Sequence, residues 1–270
     1  MRRRIAAPHG GRLAEKGLQE MLDSYEDIFT VRGDAYHEAM TRWPEARAQE
    51  LCLLVDALRP RAGETLVDAP AGGGYLSSWL PAGVRYVAVE AARPFFDRCP
   101  EGGLHSRVLS PLAKIDLPDR SADLVNCLTG LHHEPDVGGV LAELVRVLRP
   151  GGRLGVADVQ LGSPPDRFLN GFVHAHSSCG HRGAFFDETL GDALREAGLR
   201  EVTLAMAPLR WRFPDASAMV AFVRLLFGVD RASDAEIQAG IAEGLGIDPL
   251  RDGGVALRWG LLVATGCKTG

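Results

Sequence analysis

The sequence predicts an α/β fold, a mostly parallel sheet with helices on both faces, and three stretches carry that expectation. Glu64 to Glu90, ETLVDAPAGGGYLSSWLPAGVRYVAVE, reads as apolar strand, glycine-rich turn, short helix and second apolar strand, the order of a βαβ unit. Residues 117–159 repeat the alternation. A strand at Leu124 to Leu128 precedes a helix with Val140, Leu141, Leu144, Val145 and Leu148 at helical spacing, and a buried strand follows at Leu154 to Val159. Near the C-terminus, Val255 to Ala264 is apolar throughout, as a strand covered on both faces must be.

The other elements fall between these. Residues 1 to about 16 are basic and Gly-rich and are expected to be mobile, and from Leu18 to Leu58 the pattern is helical. Pro44 suits the first turn of a helix striped by Ala46, Leu51, Leu54, Val55 and Leu58. Gly33 is read as separating it from a segment that carries Tyr25, Phe29, Tyr36 and His37. A third strand is expected at Arg107 to Leu109. Asp136 is placed to cap the central helix, and Pro150-Gly151-Gly152 to stop it. Asp187 caps a helix from Leu190 to Ala197 that Gly198 closes, and a strand runs near Val202 to Ala207. Residues 214–250 read as a helical insertion before the last strand, with Met219, Phe222, Val223, Leu226 and Phe227 as its apolar stripe. The expected organisation is an N-terminal helical cap over residues 1–58 and a ligand-binding domain over 59–270.

Composition narrows the function classes. The chain has 270 residues, 46% apolar and 24% charged, enough for one core with a cap. A net charge of -5 argues against a dedicated nucleic-acid binder, which would show a basic surplus. No apolar run approaches a membrane span, and Arg2 to Arg4 precede no apolar stretch of the kind a signal peptide needs. Five scattered cysteines without a C-x-x-C pair suit a reducing cytoplasm. A homodimer is compatible with the chain.

The glycine-rich turn suggests a nucleotide-like ligand. Gly72, Gly73 and Gly74 allow close approach to backbone N–H groups, and Glu90, at the end of its strand, is placed to accept hydrogen bonds from a ribose diol. The run D-A-P-A-G-G-G (68–74) lacks the G-x-G-x-x-G spacing of dinucleotide sites. It resembles the D-x-G-x-G-x-G loop of the class I S-adenosylmethionine (SAM) dependent methyltransferases, with Pro70 at the first glycine position. Proline removes one N–H donor there. The phrase LPDRSADLV … ELVRVLRPGGRLGVADV is close to the same family's fourth strand, helix and fifth strand, and the likeness to the type 11 methyltransferases covers residues 64–159.

The resemblance implies a Rossmann-like, seven-stranded sheet, SAM as cofactor and a small-molecule acceptor. It places Asp68, Ala69, Gly72 and Gly74 at the methionine moiety and sugar, Glu90 at the ribose, and Leu131 near the sulfonium. The family's usual acid after the third strand is missing, which leaves Ser110 or the chain near Leu112 to hold adenine. Tyr36 is one of several aromatics that could face the sulfonium cation. Candidate bases are His132 and His133, at the carboxyl end of the fourth strand, and His181, in the run His174, His176, Cys179, His181. That run matches no zinc spacing, so no metal is expected. Two other readings of the same features are a SAM-consuming lyase or cyclase that releases methylthioadenosine, and a SAM-binding protein without catalysis.

Overall fold

The computed structural model describes residues 25–269, so the expectations for the basic N-terminus and for the helix between Leu18 and residue 24 lie outside it. Two helices come first, α1 (Tyr25–Arg42) and α2 (Ala48–Leu58). The first half of the sheet follows: β1 (Thr65–Asp68), β2 (Arg85–Glu90), α3 (Arg93–Phe96), β3 (His105–Leu109), β4 (Ala122–Leu128), α4 (Val137–Val147) and β5 (Leu148–Asp158). A broken helical stretch then passes through α5 (Pro164–Arg167), a π-helical turn (Phe168–Val173) and α6 (His174–His176). The remainder is α7 (Thr189–Glu196), β6 (Leu199–Phe213), α8 (Ala216–Phe227), α9 (Asp234–Gly244), β7 (Ile247–Pro249) and β8 (Val255–Lys268).

The sheet has the order β3-β2-β1-β4-β5-β8-β6, with the short β7 pairing to β8 as an eighth strand where the helical insertion rejoins. Strands β1 to β5 pair in parallel, and β8 runs antiparallel between β5 and β6. Strand order reverses between β1 and β4, and at such a point the loops leaving the carboxyl ends diverge and open a crevice. Helices cover both faces. Leu141 and Leu144 of α4 pack with Leu190 and Leu194 of α7 in one core, while α2 and the α8 stripe Met219, Phe222, Val223 and Leu226 pack in the other.

Three local expectations need correction. Gly33 does not interrupt a helix; it lies inside α1, where an added Cβ would stand 3.0 Å from Pro94 Cβ, so its lack of a side chain lets α1 approach the turn beyond β2. Pro44 does not open a helix: residues 43–47 form turns held by Ala46 N–H to Trp43 O and Ala48 N–H to Glu45 O, and α2 begins only at Ala48. Nor does Pro150-Gly151-Gly152 stop α4, which already ends at Val147; Leu148 is extended and pairs with Ala122, so the three residues sit in the bulged start of β5.

The turn before α2 aims Arg47 into the protein. Arg47 and Glu50 form an ion pair with side chains 6% and 0% exposed, and Trp211 Nε1 donates to Glu50 Oε2 at 2.7 Å. Arg47 also donates to the Tyr36 hydroxyl, tying α1, α2 and β6 together. Removing one member of a buried pair leaves the other charge without compensation, so Arg47→Leu is expected to cost about 3–5 kcal/mol of stability in chemical denaturation. A loss under about 1 kcal/mol would be the value of a surface pair and would contradict this anchoring role.

Candidate active site

Three strands that run side by side or one apart end on carboxylates at the same edge of the sheet: β1 on Asp68, β2 on Glu90 and β5 on Asp158, with exposures of 3%, 0% and 0%. Buried carboxylates require donors. Asp68 takes hydrogen bonds from the Tyr86 hydroxyl (2.7 Å) and from Asn126 Nδ2 (2.6 Å). Glu90 takes the N–H groups of Ala91 and Ala92, both at 2.9 Å on Oε1, and the Tyr25 hydroxyl at 3.1 Å on Oε2. Asp158 takes Val159 N–H (2.7 Å), His132 N–H (3.2 Å) and the His132 ring at Nδ1 (2.6 Å). Burial pushes the Asp68 carboxyl up to about 7 and the Glu90 carboxyl up to about 8, against the opposing effect of these donors.

Beyond these strand ends lies a concave cleft lined by side chains of α1, the glycine loop, β4 and the tryptophans of β6 and β8. The Gly72 loop, Asn126 and Thr129 form its sheet side, α1 covers it with Tyr25, Phe29, Arg32 and Tyr36, and Trp211 and Trp259 close the far end. Gly72 adopts a positive φ of 56°, and Gly74 combines φ 74° with a Cβ position only 2.4 Å from Pro100 Cδ, so neither tolerates a side chain without strain. Pro70 packs its ring where a Cβ on Gly130 would lie 2.1 Å from Pro70 Cγ, while the neighbouring Ala69 and Ala71 N–H groups bond to Asn126 O and Val89 O. The loop therefore spends its N–H groups on the scaffold on either side of the proline.

One wall is made of imidazoles. A 3₁₀ turn, Leu131–His133, leaves β4 and presents His132 and His133; the chain after α6 returns to place His181 against them. The return is fixed by Ala184 N–H to His132 O (3.0 Å) and by Asn170, which bonds both Gly183 and the His181 ring. Gly183 permits the approach, since a Cβ there would be 2.9 Å from His132 Cδ2. Burial, then the neighbouring His132, drive the His133 and His181 rings well below the usual imidazole range.

Comparison with known proteins finds the same likeness. Residues 67–156, a third of the chain, match the model of the methyltransferase domain. The methyltransferase GfsG of Streptomyces halstedii is 36% identical over 118 residues, 39% of this chain and 41% of that protein. The 27-O-demethylrifamycin SV methyltransferase of Amycolatopsis mediterranei is 33% identical over 138 residues, 47% of this chain and 48% of that one. The matched segments thus span less than half of these curated relatives. Among solved structures, YcgJ of Bacillus subtilis superposes with TM-score 0.62 at 17% identity over 83% of this chain and 99% of its own. Phosphoethanolamine N-methyltransferase 2 of Haemonchus contortus, solved with S-adenosylhomocysteine, reaches TM-score 0.62 at 14% identity, over 94% of this chain and 60% of that one.

The likeness to methyltransferases makes SAM the ligand to set against this cleft. The cleft suits such a ligand on its own chemistry. Four buried polar atoms of its lining side chains lack a hydrogen-bond partner: Arg32 Nε, Asn126 Oδ1, His132 Nε2 and Trp259 Nε1. A polar ligand with charged ends is what satisfies such atoms. Of the residues expected at the cofactor, Asp68, Gly72 and Tyr36 line the cleft. Glu90 lies just behind the wall, sealed by the Tyr25 hydroxyl. Ala69, Leu112 and Leu131 are fully buried in the core beneath, Gly74 packs on Pro100, and Ser110 Oγ accepts from Asp116 N–H at 3.3 Å. The three expected bases, His132, His133 and His181, meet in one wall.

The rest of the histidine run disperses. His174 Nδ1 accepts from His181 N–H, and His176 stacks on Phe172 with ring centroids 4.4 Å apart. Sequence reasoning missed Arg32, Glu50, Asp158 and Trp259. Arg47 and Glu50 did leave a trace, as two charges three apart beside an apolar stripe, and Asp158 as an acid ending an otherwise apolar strand.

The raised carboxyls bind protons in the folded state at pH values where the unfolded chain has lost them, so they reduce stability as pH rises from the unfolded to the folded value. The depressed histidines act in the opposite sense on the acid side. Subtracting the stability of Glu90→Gln from that of the wild type cancels the histidines. That difference is expected to move against the wild type by on the order of 1–4 kcal/mol between about pH 5 and pH 8, as measured by urea denaturation. A pH-independent difference would mean that Glu90 is ionised throughout.

Proposed function

We propose that this chain transfers the methyl group of SAM to a small-molecule nucleophile held in the cleft, in secondary metabolism. The observation that carries the reading is His132, held by Asp158, on the same cleft as the glycine loop and just beyond β4, the neighbour of the strand that bears Asp68. The likeness to a rifamycin-series methyltransferase supports an acceptor from natural-product chemistry. The five free cysteines suit a reducing, cytoplasmic setting.

When bound, SAM supplies an electrophilic methyl group on a sulfonium. The chain's own residues do the rest. Asn126 Oδ1, with Asp68 behind it, and the Gly72 loop would hold the methionyl end; Glu90 would take the ribose diol; Phe95 would offer an apolar face for the base. The Tyr25 hydroxyl now occupies Glu90 Oε2, so a ribose must displace it, and α1 serves as a lid. Closed, the lid's Tyr25, Phe29 and Tyr36 rings exclude water and surround the reacting centre with faces that attract a cation. Asp158 fixes the His132 ring by accepting at Nδ1, which leaves the Nε2 lone pair to draw the proton from an acceptor hydroxyl or amine.

The test is mass spectrometry of SAM incubated with the protein and a producer-cell extract. S-adenosylhomocysteine that depends on both protein and extract is expected, and His132→Gln should lower its rate by about 10²–10⁴-fold with SAM affinity retained. Methylthioadenosine formed without extract would overturn methyl transfer in favour of SAM cleavage.

A further inference from the structure

Three ring nitrogens, one each from His132, His133 and His181, lie within 4.8 Å of one another, forming the cluster of potential metal ligands among the described residues. Their ring centroids are 4.0, 5.7 and 5.7 Å apart. Two of the rings have the second nitrogen already engaged: His132 Nδ1 on Asp158 Oδ1 at 2.6 Å, and His181 Nδ1 on Asn170 Oδ1 at 3.1 Å. Each therefore directs Nε2 as its remaining donor, and His132 Nε2 is buried with no partner at all. An oxygen acceptor fixing the far nitrogen of an imidazole is the arrangement that orients histidine metal ligands and strengthens them.

We propose that His132, His133 and His181 bind a divalent first-row transition metal ion, against the sequence expectation of no metal. An all-imidazole donor set suits zinc, cobalt or iron and does not suit magnesium or calcium, which take oxygen ligands. Tetrahedral zinc–nitrogen bonds of about 2.1 Å put ligand nitrogens roughly 3.4 Å apart, so the widest pair must close by up to about 1.4 Å. His181, half-buried on a loop, supplies that movement. Three protein ligands leave the fourth position open to the cleft, the pattern of catalytic rather than structural sites.

The position of the ion also selects its fourth ligand. Arg32 lines the same cleft, is 8% exposed and donates to the Leu226 carbonyl oxygen, with Nε unpartnered among the described residues. A guanidinium and a metal ion on one cleft both favour an anionic oxygen as the ligand they share. Resting on the methyl-transfer reading, the acceptor is then a phenol, enol or acid hydroxyl that binds the ion and loses its proton to water, its oxygen keeping the electron pair. Deprotonation passes from His132 to the ion, and His132 becomes a ligand.

The experiment titrates chelator-treated, dialysed protein with Co²⁺, read by its visible d–d absorption, and with Zn²⁺, read by calorimetry. One ion per chain is expected, with cobalt bands of four- or five-coordinate geometry and no heat from Mg²⁺. His133→Ala and His181→Ala should each weaken binding by at least tenfold, and Asp158→Asn by roughly 10–100-fold. His105→Ala, on the far edge of the sheet, should bind as the wild type does. Because Asp158→Asn removes a buried carboxylate, His181→Ala on the loop keeps the test decisive if that variant fails to fold. No Co²⁺ or Zn²⁺ binding, or binding unchanged in His133→Ala and His181→Ala, overturns the proposal. SAM calorimetry on the same samples separates the two readings. SAM binding without metal binding removes only the ion, whereas metal binding without SAM binding removes methyl transfer and leaves the ion in place.

Discussion

Burying carboxylates at the ends of parallel strands is the constraint from which the rest of this structure follows. Asp68, Glu90 and Asp158 terminate β1, β2 and β5 at the open end of the sheet, almost wholly removed from water. An ionised carboxylate in such a place is stable only with donors around it, and otherwise keeps its proton. Each acid therefore dictates what stands beside it. Asp68 requires the Tyr86 hydroxyl and the Asn126 amide, Glu90 requires the turn that begins α3, and Asp158 requires the His132 imidazole. Together these partners define the floor of the cleft.

The same constraint links the lid to the floor. Tyr25 reaches down from α1 to Glu90, while Tyr36 of the same helix is held by Arg47, whose charge is balanced by Glu50 under Trp211. Two buried acids thus fasten α1 at separate points along its length. Each contact on α1 is a single hydrogen bond at a tyrosine hydroxyl, Tyr25 donating to Glu90 and Tyr36 accepting from Arg47, whose guanidinium is braced by its ion pair with Glu50. A ligand that competes for Glu90 releases the Tyr25 contact and leaves the Tyr36 contact in place.

Much of the fold was legible because it rests on periodicity and on turns with one chemical solution. Apolar runs at Thr65, Tyr86, Leu124, Leu154 and Val255 became strands, and Asp136 does cap α4 by accepting from Gly139 N–H at 2.9 Å. What failed was local punctuation overruled by tertiary contact. Gly33 reads as a break by propensity, yet packing against Pro94 uses it inside a helix. At the site, chain neighbours were readable and distant ones were not. His132 and His133 stand together in the sequence, but their convergence with His181 depends on Asn170 and Gly183, whose roles exist only after the chain folds back. Arg32 and Trp259 look like ordinary surface and core residues until α1 and β8 bring them to one cleft. Ser110 and Leu112, expected at adenine, are buried just beyond β3, with the Ser110 hydroxyl already engaged by Asp116 N–H.

The central claim is that the strand-end acids and the glycine loop form the SAM site. Calorimetric titration of SAM into the wild type and into Glu90→Ala tests it most directly. The account requires one molecule bound per wild-type chain and binding lost in the variant, with both proteins folded by circular dichroism. Equal affinity in the two proteins, or no binding to the wild type, would contradict it.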